Sequence, residues 1–215
     1  MKILGVLLLV LNCFVFTELS AQVNIDAEVK KEFKDLSEAL KNPAQVYRLN
    51  LSNQKVSIPD SVWEKFSNLE YLSLRNDHLK AIPAGIGNLG RLRVLDLSGN
   101  DFTYLPASFK NLSNLEELYL NDDKYFNLEQ NLPLLGSMSG LRSLHLENDG
   151  LKRIPKNIGM LNQVESIFLN NNKFSQPPLE LKKLPNLKFL DLQGNRLRYS
   201  RNEVQSQFFG IQVNF

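Results

Sequence analysis

The chain repeats one arrangement of apolar and polar positions seven times, at intervals of about 23 residues. Each copy reads apolar, two free positions, apolar, one free, apolar, two free, an amide or acid, one free, apolar. The copies start at Val46, Leu69, Leu92, Leu115, Leu141, Val164 and Leu187. Alternation around the fourth and sixth positions, as in Leu72-Ser73-Leu74 and Leu118-Tyr119-Leu120, predicts a short strand with one buried face. One such strand per copy stacks in parallel and lines the concave side of an α/β solenoid. The later half of each copy carries a second apolar pair three residues apart, for example Trp63 and Phe66 or Phe109 and Leu112, which predicts a helical or 3₁₀ turn on the convex side. Pro59, Pro83, Pro106, Pro155 and Pro178 recur at nearly one phase of the repeat. Proline has no N–H to donate to a sheet, so it marks the passage between the two sides.

The ninth position holds Gln54, Asp77, Asn100, Asp123, Asp149, Asn172 and Asn195. Stacked amides here satisfy backbone groups that the tight turn leaves unpaired. An ionised carboxylate accepts but does not donate, so this turn ladder should be weaker at Asp77, Asp123 and Asp149.

An open solenoid must also close its ends. Val29, Phe33, Leu36 and Leu40 recur at helical spacing and predict an amphipathic cap over residues 22–45. The repeat domain follows over residues 46–215, with Val213 and Phe215 at the fourth and sixth positions of an eighth, truncated copy. Ahead of the cap, Met1-Lys2, the apolar run from Ile3 to Phe16 and the small residues Ser20-Ala21 read as a secretory signal over residues 1–21, cleaved before Gln22. Asn12 and Thr17-Glu18 make that run too short for a membrane span.

Export has a consequence for stability. The one cysteine, Cys13, lies inside the signal, so the mature chain has no disulfide and holds together by packing alone. That pattern suits a bacterial envelope or secreted protein. Lys and Arg number 25 against 23 Asp and Glu, and a net charge of +2 gives no overall drive toward nucleic acid or anionic membrane.

The repeat, as in Leu95-Asp96-Leu97-Ser98-Gly99-Asn100 and Ile82-Pro83-Ala84-Gly85-Ile86-Gly87-Asn88-Leu89, resembles that of the leucine-rich repeat superfamily, in its Ras-group-related and disease-resistance-like form. The resemblance covers about residues 44 to 215 and extends to small exported bacterial proteins built of this repeat and little else. It implies a horseshoe with a parallel concave sheet, and protein binding rather than catalysis. The fourth copy departs from the pattern: it is three residues longer than its neighbours and contains Asp122-Asp123-Lys124-Tyr125-Phe126. Those residues must loop out or shift the stacking.

Outward positions between the strand leucines carry no packing duty, so their chemistry points to the partner. At the fifth position Tyr119, His145 and Phe168 fall on consecutive strands and should stack within roughly 10 Å, an aromatic stripe at the concave centre. The alternative is that the rings only support one another across strands. Glu117 and Glu147 lie beside the stripe and Arg75 toward the N-terminal end, a polarity that would orient a partner.

Catalysis finds little support. His78 and His145 are almost three repeats apart, and no phosphate loop or serine elbow occurs. The expectation is a monomeric, non-enzymatic module for a protein partner, with no cofactor, no metal, no nucleic acid and no integral membrane domain. Glycan binding, a carbohydrate-active enzyme and an adhesive spacer are the alternatives.

Overall fold

The computed structural model describes residues 31–55 and 57–215, so the signal over residues 1–21 and Val29 of the cap lie outside the described residues. Nine short strands, β1 (Glu32–Phe33), β2 (Arg48–Asn50), β3 (Tyr71–Ser73), β4 (Val94–Asp96), β5 (Glu117–Tyr119), β6 (Ser143–His145), β7 (Ser166–Phe168), β8 (Phe189–Asp191) and β9 (Gln212–Asn214), form one parallel sheet in chain order. Seven carry the predicted copies and β9 the truncated eighth. In register lie Leu49, Leu72, Leu95, Leu118, Leu144, Ile167 and Leu190, none more than 1% exposed. Burying that row against the convex pairs is the main drive for stacking the coils.

The convex side closes each coil with little regular structure. It comprises helix α2 (Asp60–Trp63), 3₁₀ turns at Ala84–Asn88, Ala107–Asn111, Ile158–Met160 and Leu179–Lys183, and a longer helix α3 (Leu128–Ser137) in the fourth copy. Pro59, Pro83, Pro106 and Pro178 each stand immediately before one of these turns, where a missing N–H costs nothing. The three extra residues of the fourth copy are taken up here. Leu118 pairs with Leu144, 26 residues on, in the same register that joins Leu72 to Leu95.

The N-terminal cap combines a helix with a strand that the hydrophobic spacing did not announce. Phe33, read as part of a helical stripe, sits in β1 opposite Leu49, and the helix itself, α1 (Leu36–Ala39), is a single turn capped by Asp35. A strand pairs the otherwise open edge of β2, which a helix lying across it would leave with unpaired backbone groups. At the other end α4 (Arg201–Gln207) starts with a capping box from Ser200 and Glu203 and buries Val204.

The ninth-position ladder is present and differs by residue type. Asn100 Oδ1 accepts from the N–H groups of Asp77 and Leu79, while its Nδ2 donates to the carbonyls of Leu74 and Leu97 at 2.9 and 2.6 Å. Asn172 and Asn195 donate to two carbonyls in the same way and each accept one backbone N–H, from Leu151 and Phe174 respectively. Asp77, Asp123 and Asp149 keep only the accepting half: Oδ1 takes a backbone N–H from the preceding copy, and Oδ2 is buried without a partner. Gln54 donates instead to the carbonyl of Lys34 in the cap.

Candidate functional site

The strands place Asn50, Ser73, Asp96, Tyr119, His145, Phe168, Asp191 and Asn214 side by side along the concave face. At its centre the three aromatic rings form one stack. Tyr119 and His145 have centroids 3.8 Å apart and planes 18° apart; His145 and Phe168 are 4.1 Å and 4° apart. Phe189, the first residue of β8, leans on Phe168 at 5.3 Å and extends the apolar surface by one strand. Stacking covers the ring faces, and His145 is only 8% exposed. The stripe therefore offers a partner ring edges and polar tips, so cross-strand support and a binding surface are two aspects of one feature.

Carboxylates fix the polar tips. The Tyr119 hydroxyl donates to Glu117 Oε2 at 2.8 Å, and His145 Nδ1 lies 3.3 Å from Glu147 Oε1. Burial, with the Glu117 bond adding to it, raises the Tyr119 phenol well above its ordinary range, so it remains a neutral donor. Glu147 is itself held by its backbone N–H, which donates to Asn121 Oδ1. Five of the six predicted site residues, Tyr119, His145, Phe168, Glu117 and Glu147, thus meet in one cluster. Arg75 stands outside it and reaches along the face to Asp122 at 3.9 Å.

Charge on this face is segregated. In copies three to seven, the outward strand positions carry Asp96, Glu117, Asp122, Glu147 and Asp191 and no Lys or Arg. The cations toward the N-terminal end are drawn into pairs: Arg48 lies 3.6 Å from Glu32 and stacks on Tyr71 at 4.1 Å. One flank is a rail of alternating sign that the sequence reading did not assemble, namely Glu70, Arg93, Glu116, Arg142, Glu165 and Lys188, all at the second position of their copies. Arg93 binds Glu116 at 2.9 Å, and Glu165 takes Lys188 at 2.6 Å and Arg142 at 3.8 Å. The Arg93 bond holds the Glu116 carboxyl below its usual range. The signal for this rail was alternation of charge at the repeat interval, one position before each strand. A groove of about 420 Å³ opens between rail and strands, lined by Arg48, Glu70, Tyr71, Arg93, Glu116 and Glu117.

His78 is on the edge of the coil, 3.3 Å from Asp101 and distant in the stack from His145. Among the described residues no three His, Cys, Asp or Glu side chains are placed to hold a metal ion, and no helix is long and apolar enough to cross a membrane.

A family model described as leucine rich repeat matches residues 44–102, 67–125 and 139–197. A Solanum bulbocastanum protein named for disease resistance, RGA1, is 50% identical over 44 residues, which are 20% of this chain and 4% of that protein. Among solved structures, a Leptospira interrogans leucine-rich repeat protein is 24% identical with a TM-score of 0.56, covering 86% of this chain and 58% of its own. Drosophila Toll, in its complex with Spatzle, is 19% identical with a TM-score of 0.64, and covers 77% of this chain and 22% of that one. TLR13 in complex with ssRNA13 is 25% identical with a TM-score of 0.66, and covers 85% and 26% respectively. The chain thus spans less than two thirds of each of these proteins.

Proposed function

Because this chain belongs to the leucine-rich repeat family, whose fold is commonly a protein-binding module and is generally non-catalytic, we propose that it is an exported recognition module whose concave face takes a basic segment of a partner protein. The observation that carries this reading is the acidic centre: five carboxylates along the strands of copies three to seven, beside an ordered aromatic stack, with no cation at those positions. Lysine and arginine side chains suit such a surface twice over, since the charged head pairs with the carboxylates while the apolar stem lies along the exposed ring edges. The neutral rail along one flank neither attracts nor repels, so charge steers the partner to the centre. Export through a signal ending at Ala21, in the periplasm, on the surface or in the medium, completes the proposal.

One experiment tests both parts. The chain recovered from the envelope or medium of its host should begin at Gln22 by mass spectrometry. Used as bait beside an Asp96→Asn, Glu117→Gln variant of equal melting temperature, it should retain a protein that the variant loses. The retained contact peptides should be rich in Lys and Arg, and retention should fall as salt is raised. If chain and variant hold the same set, the concave reading fails; an intact Met1 sinks the export.

A further inference from the structure

Away from the concave face, on the edge where each coil climbs from sheet to convex turn, charge has the opposite sign. Lys124, Lys152, Arg153, Lys173, Arg196 and Arg198 are all exposed there, and none forms an ion pair among the described residues. The net charge of +2 conceals this division. The extended fourth copy opens a groove of about 440 Å³ on this edge, lined by Tyr125, Phe126 and Leu151 as well as by Lys152 and Arg153. A second groove of about 230 Å³ continues it toward Gln176 and Pro178, and Lys152 and Arg153 line both. Tyr125 is 63% exposed, and no packing requirement accounts for it.

We propose that this edge groove is a second binding site, for an anionic saccharide, with an acid group of the sugar chain on Lys152 and Arg153 and a ring laid against Tyr125. The volume of the first groove falls in the range of small-ligand sites, and an aromatic side chain amid polar groups gives the amphipathic surface that a sugar ring presents in return. Thr103 and Asn127 in the first groove, and Ser175 and Gln176 in the second, supply hydroxyl and amide groups for a hydroxylated ligand. The arginine fork suits a carboxylate or sulfate. The distribution of charge favours a saccharide over a nucleic acid. Positive charge inside the grooves is confined to the adjacent Lys152 and Arg153, while Glu129 lines the far part of one groove and Glu180 that of the other. A phosphodiester chain, charged at every residue, would run into those carboxylates; a sugar chain with well-spaced acid groups would not.

The test is calorimetric titration of the purified chain with a hyaluronan hexasaccharide, which carries a carboxylate on every second sugar, with maltohexaose as the neutral hexasaccharide and with the oligonucleotide dT6. The hyaluronan hexasaccharide should bind at least about tenfold more tightly than either of the others, a gap of about 1.4 kcal/mol. Lys152→Gln with Arg153→Gln should weaken it by about tenfold or more, and Tyr125→Ala by about fivefold, by analogy with charge-assisted and aromatic contacts elsewhere. All three side chains are exposed, so the variants should keep the parent melting temperature. Asp96→Asn with Glu117→Gln should leave this binding unchanged, which separates the edge site from the concave one. No heat of binding at millimolar hyaluronan hexasaccharide, an affinity indifferent to the edge substitutions, or equal binding of dT6 would each overturn the proposal.

Discussion

Asparagine and aspartate at the ninth position of the repeat have one shape and opposite hydrogen-bonding sense, and the difference sets a pH dependence. Asn100 donates to two carbonyls through Nδ2, whereas Asp123 and Asp149 present a buried Oδ2 with no partner. Burial pushes the Asp123 carboxyl up to about 9 and that of Asp149 up to about 8, with nearby carboxylates, Asp149 and Asp122 for the first and Asp122 and Glu147 for the second, adding to it. Protonated, each carboxyl gains the donor that asparagine has by nature. An unfolded aspartate titrates near 3.9, so between about pH 4 and pH 9 the folded chain holds protons the unfolded chain has released. The stability these groups contribute is therefore full below pH 4, falls as pH rises, and is gone above their folded values. Asp123→Asn should stabilise the protein by about 1–3 kcal/mol at pH 8 and by much less at pH 4, read from urea unfolding at the two pH values. An equal gain at both would show that ionisation is not the cause. The order of Tyr119, His145 and Phe168 was legible by counting along the repeat. Their face-to-face stacking, the burial of His145 and the protonation of the acids depend on side-chain torsions and local dielectric, which no count of positions contains.

At the scale of elements, the repeat is legible wherever seven copies vote on a position and obscure wherever one copy differs. The strands β2 to β9 and the convex pairs fell where the pattern put them; β1 did not, because two residues of strand in a charged segment leave no alternation to detect. The fourth copy is the other gap. Its extra length builds α3, whose buried Asn131 does what no repeat position foretold: Oδ1 accepts from Leu105 N–H at 2.9 Å, and Nδ2 donates to the carbonyls of Thr103 and Asn127 at 3.0 and 2.7 Å. The side chain therefore bolts the ascending edge of copy three, beside Tyr104, to the helix of copy four. Asn131→Leu roughly keeps the volume and removes all three bonds, leaving the buried Leu105 N–H without its partner and Thr103 C=O with only the Asn127 N–H. The expected loss is about 2–4 kcal/mol in urea unfolding, with amide exchange at Leu105 sharply accelerated. A change below about 0.5 kcal/mol would show that water takes over those partners at no cost. Pro133, inside α3, interrupts one helical hydrogen bond yet faces solvent, where the freed carbonyl meets water.

For the whole molecule, contact only between adjacent coils makes stability a sum of local terms, so damage at one end need not reach the other. The two ends are built differently and carry separate reporters. Trp63, the one tryptophan, is fully buried in the first copy, and Phe208 is 1% exposed beneath the last strand, just after α4. Phe208 packs in the last described coil, so its loss opens a cavity there. Phe208→Ala should remove about 3–5 kcal/mol from the C-terminal coils while leaving the coil around Trp63 nearly as stable as before. Tryptophan fluorescence and far-ultraviolet circular dichroism should coincide for the parent on urea titration, as two-state unfolding requires. In the variant the dichroism should begin to fall at lower urea than the fluorescence, because β8, β9 and α4 melt first. The same partition bears on the two proposed sites: the concave centre on β4 to β7 and the edge groove of copies three to six lie inside the array, so both should keep binding after the last coil frays. Coincident transitions in Phe208→Ala, shifted together, would instead show that the nine-stranded sheet folds as one cooperative block, and that both sites would be lost with its end.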